Sequence, residues 1–147
     1  MKLMKFSEFS GERWAELQLY FDTGILPVTG LTGSESPDEA EAALTRLRDL
    51  LDLVEMPFKG RTVTYPALHY AAEGAQTIER VASGLKAGGF RHVIIVSLNR
   101  SYQADLPSVD LWIVPEPDGS LPAARAVSEA VQAMWRNRRE EPDRSAE

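Results

Sequence analysis

The run His92-Val93-Ile94-Ile95-Val96-Ser97 constrains the fold more than any other stretch of this chain. Successive side chains of a strand point to opposite faces, so four consecutive β-favouring apolar residues predict a strand buried on both sides. A sheet built around such a strand needs a layer of helices on each face. The rest of the chain must supply those helices, and its apolar spacing does so.

Residues 10–21 place Trp14, Leu17 and Phe21 on one helical face. The period then changes, and Gly24-Ile25-Leu26-Pro27-Val28 reads as a short buried strand that ends near Pro27 or uses it at a bulge, because proline has no donor. Ser36-Pro37-Asp38-Glu39 combines a serine N-cap, a proline at the first helical position and a capping-box glutamate. The helix that follows turns Ala40, Ala43, Leu44, Leu47, Leu50, Leu51 and Val54 inward and is expected to end at Met56-Pro57. Residues 61–65 predict a second strand stopped by Pro66. A helix starting near residue 71 or 76 buries Ile78, Val81, Ala82 and Leu85 and stops at Gly88-Gly89. After the 92–97 strand, residues 109–114 form a fourth, closed by Pro115 and Pro117. Residues 121–138 form a last helix, inward through Ala124, Val127, Val131, Met134 and Trp135.

Strands separated by helices imply right-handed crossovers and a parallel sheet. The expected fold is therefore an α/β, three-layer α/β/α domain over residues 1–138, with a short, mostly parallel four-stranded sheet and a charged, disordered tail over 139–147. The segment joining strands three and four lacks a convincing helix, which leaves the fourth strand free to run antiparallel beside the third.

The formal net charge of −6 opposes general nucleic-acid binding, which needs a positive field. The absence of cysteine excludes disulfides, thiolate metal sites and cysteine nucleophiles. The amino terminus, Met1-Lys2-Leu3-Met4-Lys5-Phe6, has no apolar core behind its lysines, so no signal peptide is expected. No stretch reaches the roughly 18 apolar residues of a membrane span, and the expected location is the cytoplasm.

The loop Gly30-Leu31-Thr32-Gly33-Ser34 lies between a strand and a helix, where phosphate-binding loops occur. It lacks both the Gly-Lys-Ser/Thr ending and the three-glycine dinucleotide pattern, and Asp38, Glu39 and Glu41 already occupy the positive end of the helix. The two histidines, His69 and His92, belong to opposite ends of their strands, so no metal site and no cofactor is expected. Asp22, Lys59 and Arg61 stand at strand entries, where charge pairing or turn capping accounts for them, and Asp22 is expected beside Arg61. At the carboxyl ends of the strands, where open α/β sheets bind ligands, stand Thr29, Tyr65, His69, Tyr70, Ser97, Asn99, Arg100 and Tyr102. They suit a small polar or anionic ligand, with Arg100 as charge partner and His69 as proton carrier, but contain no triad, paired acids or nucleophile motif.

Two stretches carry a family resemblance: Tyr20-Phe21-Asp22-Thr23-Gly24-Ile25-Leu26-Pro27-Val28, and Phe58-Lys59-Gly60-Arg61 followed by an apolar strand and Pro66. A Tyr-x-Asp-Thr entry running into Ile-Leu-Pro resembles the YpiF-like proteins, an uncharacterised family of spore-forming and related Gram-positive bacteria. The likeness spans roughly residues 14–70. It implies a compact cytoplasmic protein and brings no activity, cofactor or catalytic residue with it.

The leading expectation is a non-catalytic protein that binds a protein partner or itself through strand edges or an apolar face. The second is a small-molecule or nucleotide-binding regulatory domain using the carboxyl edge. A hydrolase or transferase working through His69 ranks below both.

Overall fold

The computed structural model describes residues 20–69 and 74–140. In chain order these form β1 (Thr23–Val28), α1 (Pro37–Phe58), β2 (Thr62–Thr64), α2 (Ala75–Ala87), β3 (His92–Ser97), a single 3₁₀ turn (Arg100–Tyr102), β4 (Leu111–Ile113) and α3 (Ala124–Glu140). Most of the helix expected over residues 10–21, Tyr70 and most of the expected tail lie outside the described residues.

The sheet has the order β2-β1-β3-β4, and every pairing is parallel. The long central strands β1 and β3 are buried along their whole length, whereas the two edges are short. One face carries Ile25, Ile94 and Val96 against Leu47, Leu50, Leu51 and Val54 of α1 and Val127, Val131, Met134 and Trp135 of α3. The other carries Leu26, Val28, Val63, Val93 and Ile95 against Ile78, Ala82 and Leu85 of α2. This is the three-layer arrangement that the apolar β3 run requires.

Local chemistry sets the helix starts. Ser36 Oγ accepts from the Glu39 amide at 3.2 Å and Glu39 Oε1 accepts from the Ser36 amide at 3.0 Å, a reciprocal box that fixes the entry of α1. Its far end departs from expectation. The helix runs through Pro57 to Phe58, since a proline in the last turn forfeits one hydrogen bond without blocking the few residues after it. Leu44 is also displaced from its expected place: it is 43% exposed, and it lines a surface hollow instead of the closed core.

Two further corrections concern strands. β4 runs parallel to β3, with Ile94 opposite Leu111 and Val96 opposite Ile113. Residues 98–110 return across the sheet without an α-helix because they are strapped to α2. Glu79 accepts from the Ser108 amide at 2.9 Å and its hydroxyl at 2.6 Å, and Lys86 pairs with Asp110 at 2.9 Å. Asp110 then bonds Val93 through both its amide and its carboxylate, each at 2.9 Å, and fixes the register.

Pro27 lies inside β1, neither ending it nor bulging it, with Val96 opposite. The ring tolerates this central position because its donorless side faces the β2 edge. There the ladder stops at the bond from the Tyr65 amide to Ile25, and the Pro27 carbonyl next accepts from Leu68 at 2.8 Å. Between these two bonds the chain at 65–67 swings away from β1.

Candidate functional site

That swing opens a hollow of about 360 Å³ at the carboxyl edge of the sheet, on the α1 face. Pro27 and the 64–67 segment form one wall, and Leu44, Leu47 and Leu51 of α1 form the other. Thr29 lies at its end, and among the described residues Arg48 is the only charged group that lines it. The lining is mostly apolar with a few polar groups, as in small-ligand sites.

Arg48 is held from behind. Its guanidinium pairs with Glu55, and with Asp52 at 3.3 Å. The Glu55 side chain is 0% exposed, and the Thr64 hydroxyl donates to its second oxygen. A carboxylate this deeply buried is stable only when paired and hydrogen-bonded, and here one face of α1 and the last residue of β2 supply both conditions. Arg48 Nε is itself buried and has no hydrogen-bond partner among the described residues. Neither Arg48 nor Glu55 was singled out from the sequence, although Glu55 follows Leu47 and Leu51 at helical spacing on the inward face. An acid at such a position with an arginine two turns earlier was the available signal.

The carboxyl-edge residues expected to act together separate into smaller groups. His69 is exposed, and its Nδ1 lies 3.2 Å from the Thr29 hydroxyl. That hydroxyl also reaches the Leu68 carbonyl at 3.4 Å and accepts from the Leu31 amide at 3.4 Å. Thr29 is only 4% exposed, so the contact pins the 68–69 segment to the end of β1 rather than presenting a nucleophile. Ser97 is buried and accepts from the Asn99 amide at 3.1 Å, while Asn99 Oδ1 caps the 3₁₀ turn by accepting from the Ser101 amide at 2.9 Å. Gly30, with φ +76°, brings the β1 loop against Asn99 and Tyr102; a Cβ there would sit 3.5 Å from Asn99 Cβ. Arg100 turns elsewhere, donating to the Pro115 carbonyl at 2.7 Å and lining a separate surface hollow with Arg46 and residues 115–119. Tyr65 stacks edge-on against Phe90 at 5.5 Å, and its burial raises its hydroxyl pKa.

The Gly30–Ser34 loop already holds an anion of its own. Glu35 accepts from the Thr32 amide at 2.9 Å and the Gly33 amide at 2.9 Å, contacts that lower its pKa. The donors that would cradle a phosphate are taken.

At the opposite edge, Asp22 and Arg61 form a bidentate pair at 2.9 and 3.0 Å. Arg61 lies 3.9 Å above the Trp135 ring, Trp135 Nε1 donates to Thr23 at 2.9 Å, and Thr23 donates to Asp22 at 3.0 Å. His92 Nε2 lies 4.0 Å from Asp22. Burial alone would raise the Asp22 pKa, but the Arg61 and Thr23 hydrogen bonds and the Arg61 charge outweigh it and lower the value. This network ties α3 to the entries of β1 and β2. Lys59 takes no part in that pairing; it is the C-cap of α1.

The family model described as "Protein of unknown function (DUF2487)" matches residues 12–138. The chain belongs to this family. No curated protein and no solved structure matches it. DUF2487 membership covers both edges of the sheet and the hollow. Among the described residues no helix is long and apolar enough to cross a membrane, and no group of three or more histidine and acidic residues is placed to hold a metal ion.

Proposed function

We propose that this chain is a non-catalytic binding protein whose ligand is a small molecule held in the hollow between α1, β1 and the 64–67 segment. The carrying observation is the lining itself: among the described residues, apolar walls with one charged group, Arg48, fixed by a fully buried Glu55. Pre-organised polar groups in an apolar hollow lower the ordering cost of binding. Among the described residues the lining contains no histidine, carboxylate, lysine or cysteine, which favours binding over chemistry. The place also fits the rule that open α/β sheets bind at their carboxyl edge.

The test is ligand-observed saturation-transfer NMR on the full chain with a set of small apolar fragments. Ala67→Trp, which fills the hollow, should abolish the signals while circular dichroism stays native. Fragments that bind a folded Ala67→Trp equally well would overturn the reading.

A second reading keeps the hollow and changes its occupant to an apolar side chain of a protein partner or a second copy. Leu44, exposed at the mouth, favours it. It expects sedimentation or partner capture to be lost on Leu44→Arg while free fragments bind poorly. The strand-entry resemblance further supports a YpiF-like relationship, an origin in Gram-positive bacteria and a cytoplasmic location.

A further inference from the structure

We infer that the second hollow, at the carboxyl ends of β3 and β4, takes a small zwitterion of the amino-acid kind: a carboxylate and an ammonium on one short apolar body. It is separate from the hollow beside Arg48 and does not depend on it. Its volume is about 480 Å³, and α1, the 3₁₀ turn after β3 and the 115–119 loop after β4 all contribute to its wall. Arg46 and Arg100 bring two guanidinium groups to this hollow, and Glu116 and Asp118 bring two carboxylates. All four residues are exposed, so a molecule entering from solvent can reach them. Among the described residues none of the four takes part in an ion pair. Opposite charges that share a hollow without pairing leave both poles open to a ligand.

A lone anion would gain from the guanidinium groups and lose to the carboxylates, and a lone cation would meet the reverse. A molecule carrying both charges gains at each pole. Local bonds hold the poles in place before any ligand arrives. Arg100 Nη1 donates to the Pro115 carbonyl at 2.7 Å, which ties the turn after β3 to the loop after β4 and leaves the rest of the guanidinium fork for a carboxylate. Two backbone bonds of 2.8 Å, from the Glu116 amide to Ser120 and from the Gly119 amide to Glu116, close the turn that carries both acids. Asp118 Oδ1 accepts from the Ser120 amide at 3.0 Å and from its hydroxyl at 2.6 Å, contacts that lower the pKa and keep the carboxylate charged at neutral pH. Its Oδ2 makes no hydrogen bond among the described residues and is left to meet an ammonium. Half-buried Leu98 and buried Pro115 give the hollow an apolar patch for the body of the ligand. Poles fixed in advance reduce the ordering cost of binding.

The experiment follows backbone amide shifts of the full chain near pH 7 on titration with norleucine. Parallel titrations use hexanoate, which lacks the ammonium, and pentylamine, which lacks the carboxylate. Norleucine should give saturable shifts at residues 98–101 and 116–120. Each analogue should bind about fivefold weaker, the upper end for a solvent-exposed ion contact. Arg46→Gln and Glu116→Gln replace exposed side chains that make no hydrogen bond among the described residues, so folding is not at stake. Each should weaken norleucine about threefold. Hexanoate or pentylamine binding as tightly as norleucine would reduce the hollow to a site for a simple ion and overturn the inference. A norleucine affinity unmoved by both substitutions would overturn it too, as would the lack of saturable shifts at 98–101 and 116–120. These amides are distinct from those at 44–51 and 64–67, so a failure here leaves the hollow beside Arg48 untouched.

Discussion

Replacing Arg48 by Met should be far more damaging than its position on a half-exposed helix surface suggests. Arg48 is the cation of a pair whose other member, Glu55, has no exposed side-chain surface. Breaking a buried pair from one side costs about 3–5 kcal/mol, because the remaining charge stays buried after its ion-pair partner is removed. Thr64 still donates one charge-assisted hydrogen bond to Glu55, and Arg48 is itself 42% exposed, which places the cost near the lower bound, about 3 kcal/mol. At roughly 3 °C per kcal/mol for a chain of this size, the melting temperature should fall by about 10 °C. Combining Arg48→Met with Glu55→Leu and Thr64→Val removes the ion pair together with the hydroxyl bonded to it and should recover most of the loss. Urea denaturation followed by circular dichroism at pH 7 measures each variant. A single variant within about 1 kcal/mol of the parent at pH 7, or a triple variant no better than the single, would refute the reasoning.

Other outcomes follow from the opposite edge and the loops. Asp22→Asn should cost about 2 kcal/mol at neutral pH by weakening a charge-assisted pair with Arg61. Because the folded Asp22 pKa lies below 3.8, its contribution is complete above that value and is lost as pH falls through the folded one, so acid unfolding curves of parent and variant should converge at low pH. Trp135→Phe removes the hydrogen bond to Thr23 and weakens the stacking on Arg61, and should cost about 1–2 kcal/mol by chemical denaturation. Gly74→Ala forces φ of +53° on a residue with a Cβ, which would sit 3.0 Å from the Tyr102 ring. A loss of about 1–2 kcal/mol and a changed Tyr102 ring signal in NMR are expected.

How far the sequence reached depended on whether the physics was local. The Ser36–Glu39 box and the doubly apolar β3 run are complete within a few residues, and each appears where periodicity places it. The direction of β4 was not legible, because it is set by Glu79 holding Ser108 and by Asp110 bonding Val93, contacts between segments far apart in the chain. Pro27 misled for a related reason: its tolerance depends on where β2 stops, not on its own strand. At the site, spacing could show that Glu55 lies on the inward face of α1, but not that the acid stays buried instead of reaching water. Its partner Thr64 belongs to another element, and only the packing of α1 on β2 brings them together. Thr29 and Asn99 follow strands and Ser97 ends one at the carboxyl edge, but loop paths decide their neighbours. Arg100 consequently turns to Pro115, away from Thr29 and His69.

The most direct test of the ligand site is a map of backbone amide shifts over the whole chain on titration with octanamide. The account expects saturable shifts clustered at residues 27–29, 44–51 and 64–67, lost in a folded Ala67→Trp variant. Shifts centred on residues 98–101 and 115–119, or no saturable shift at all, would contradict it.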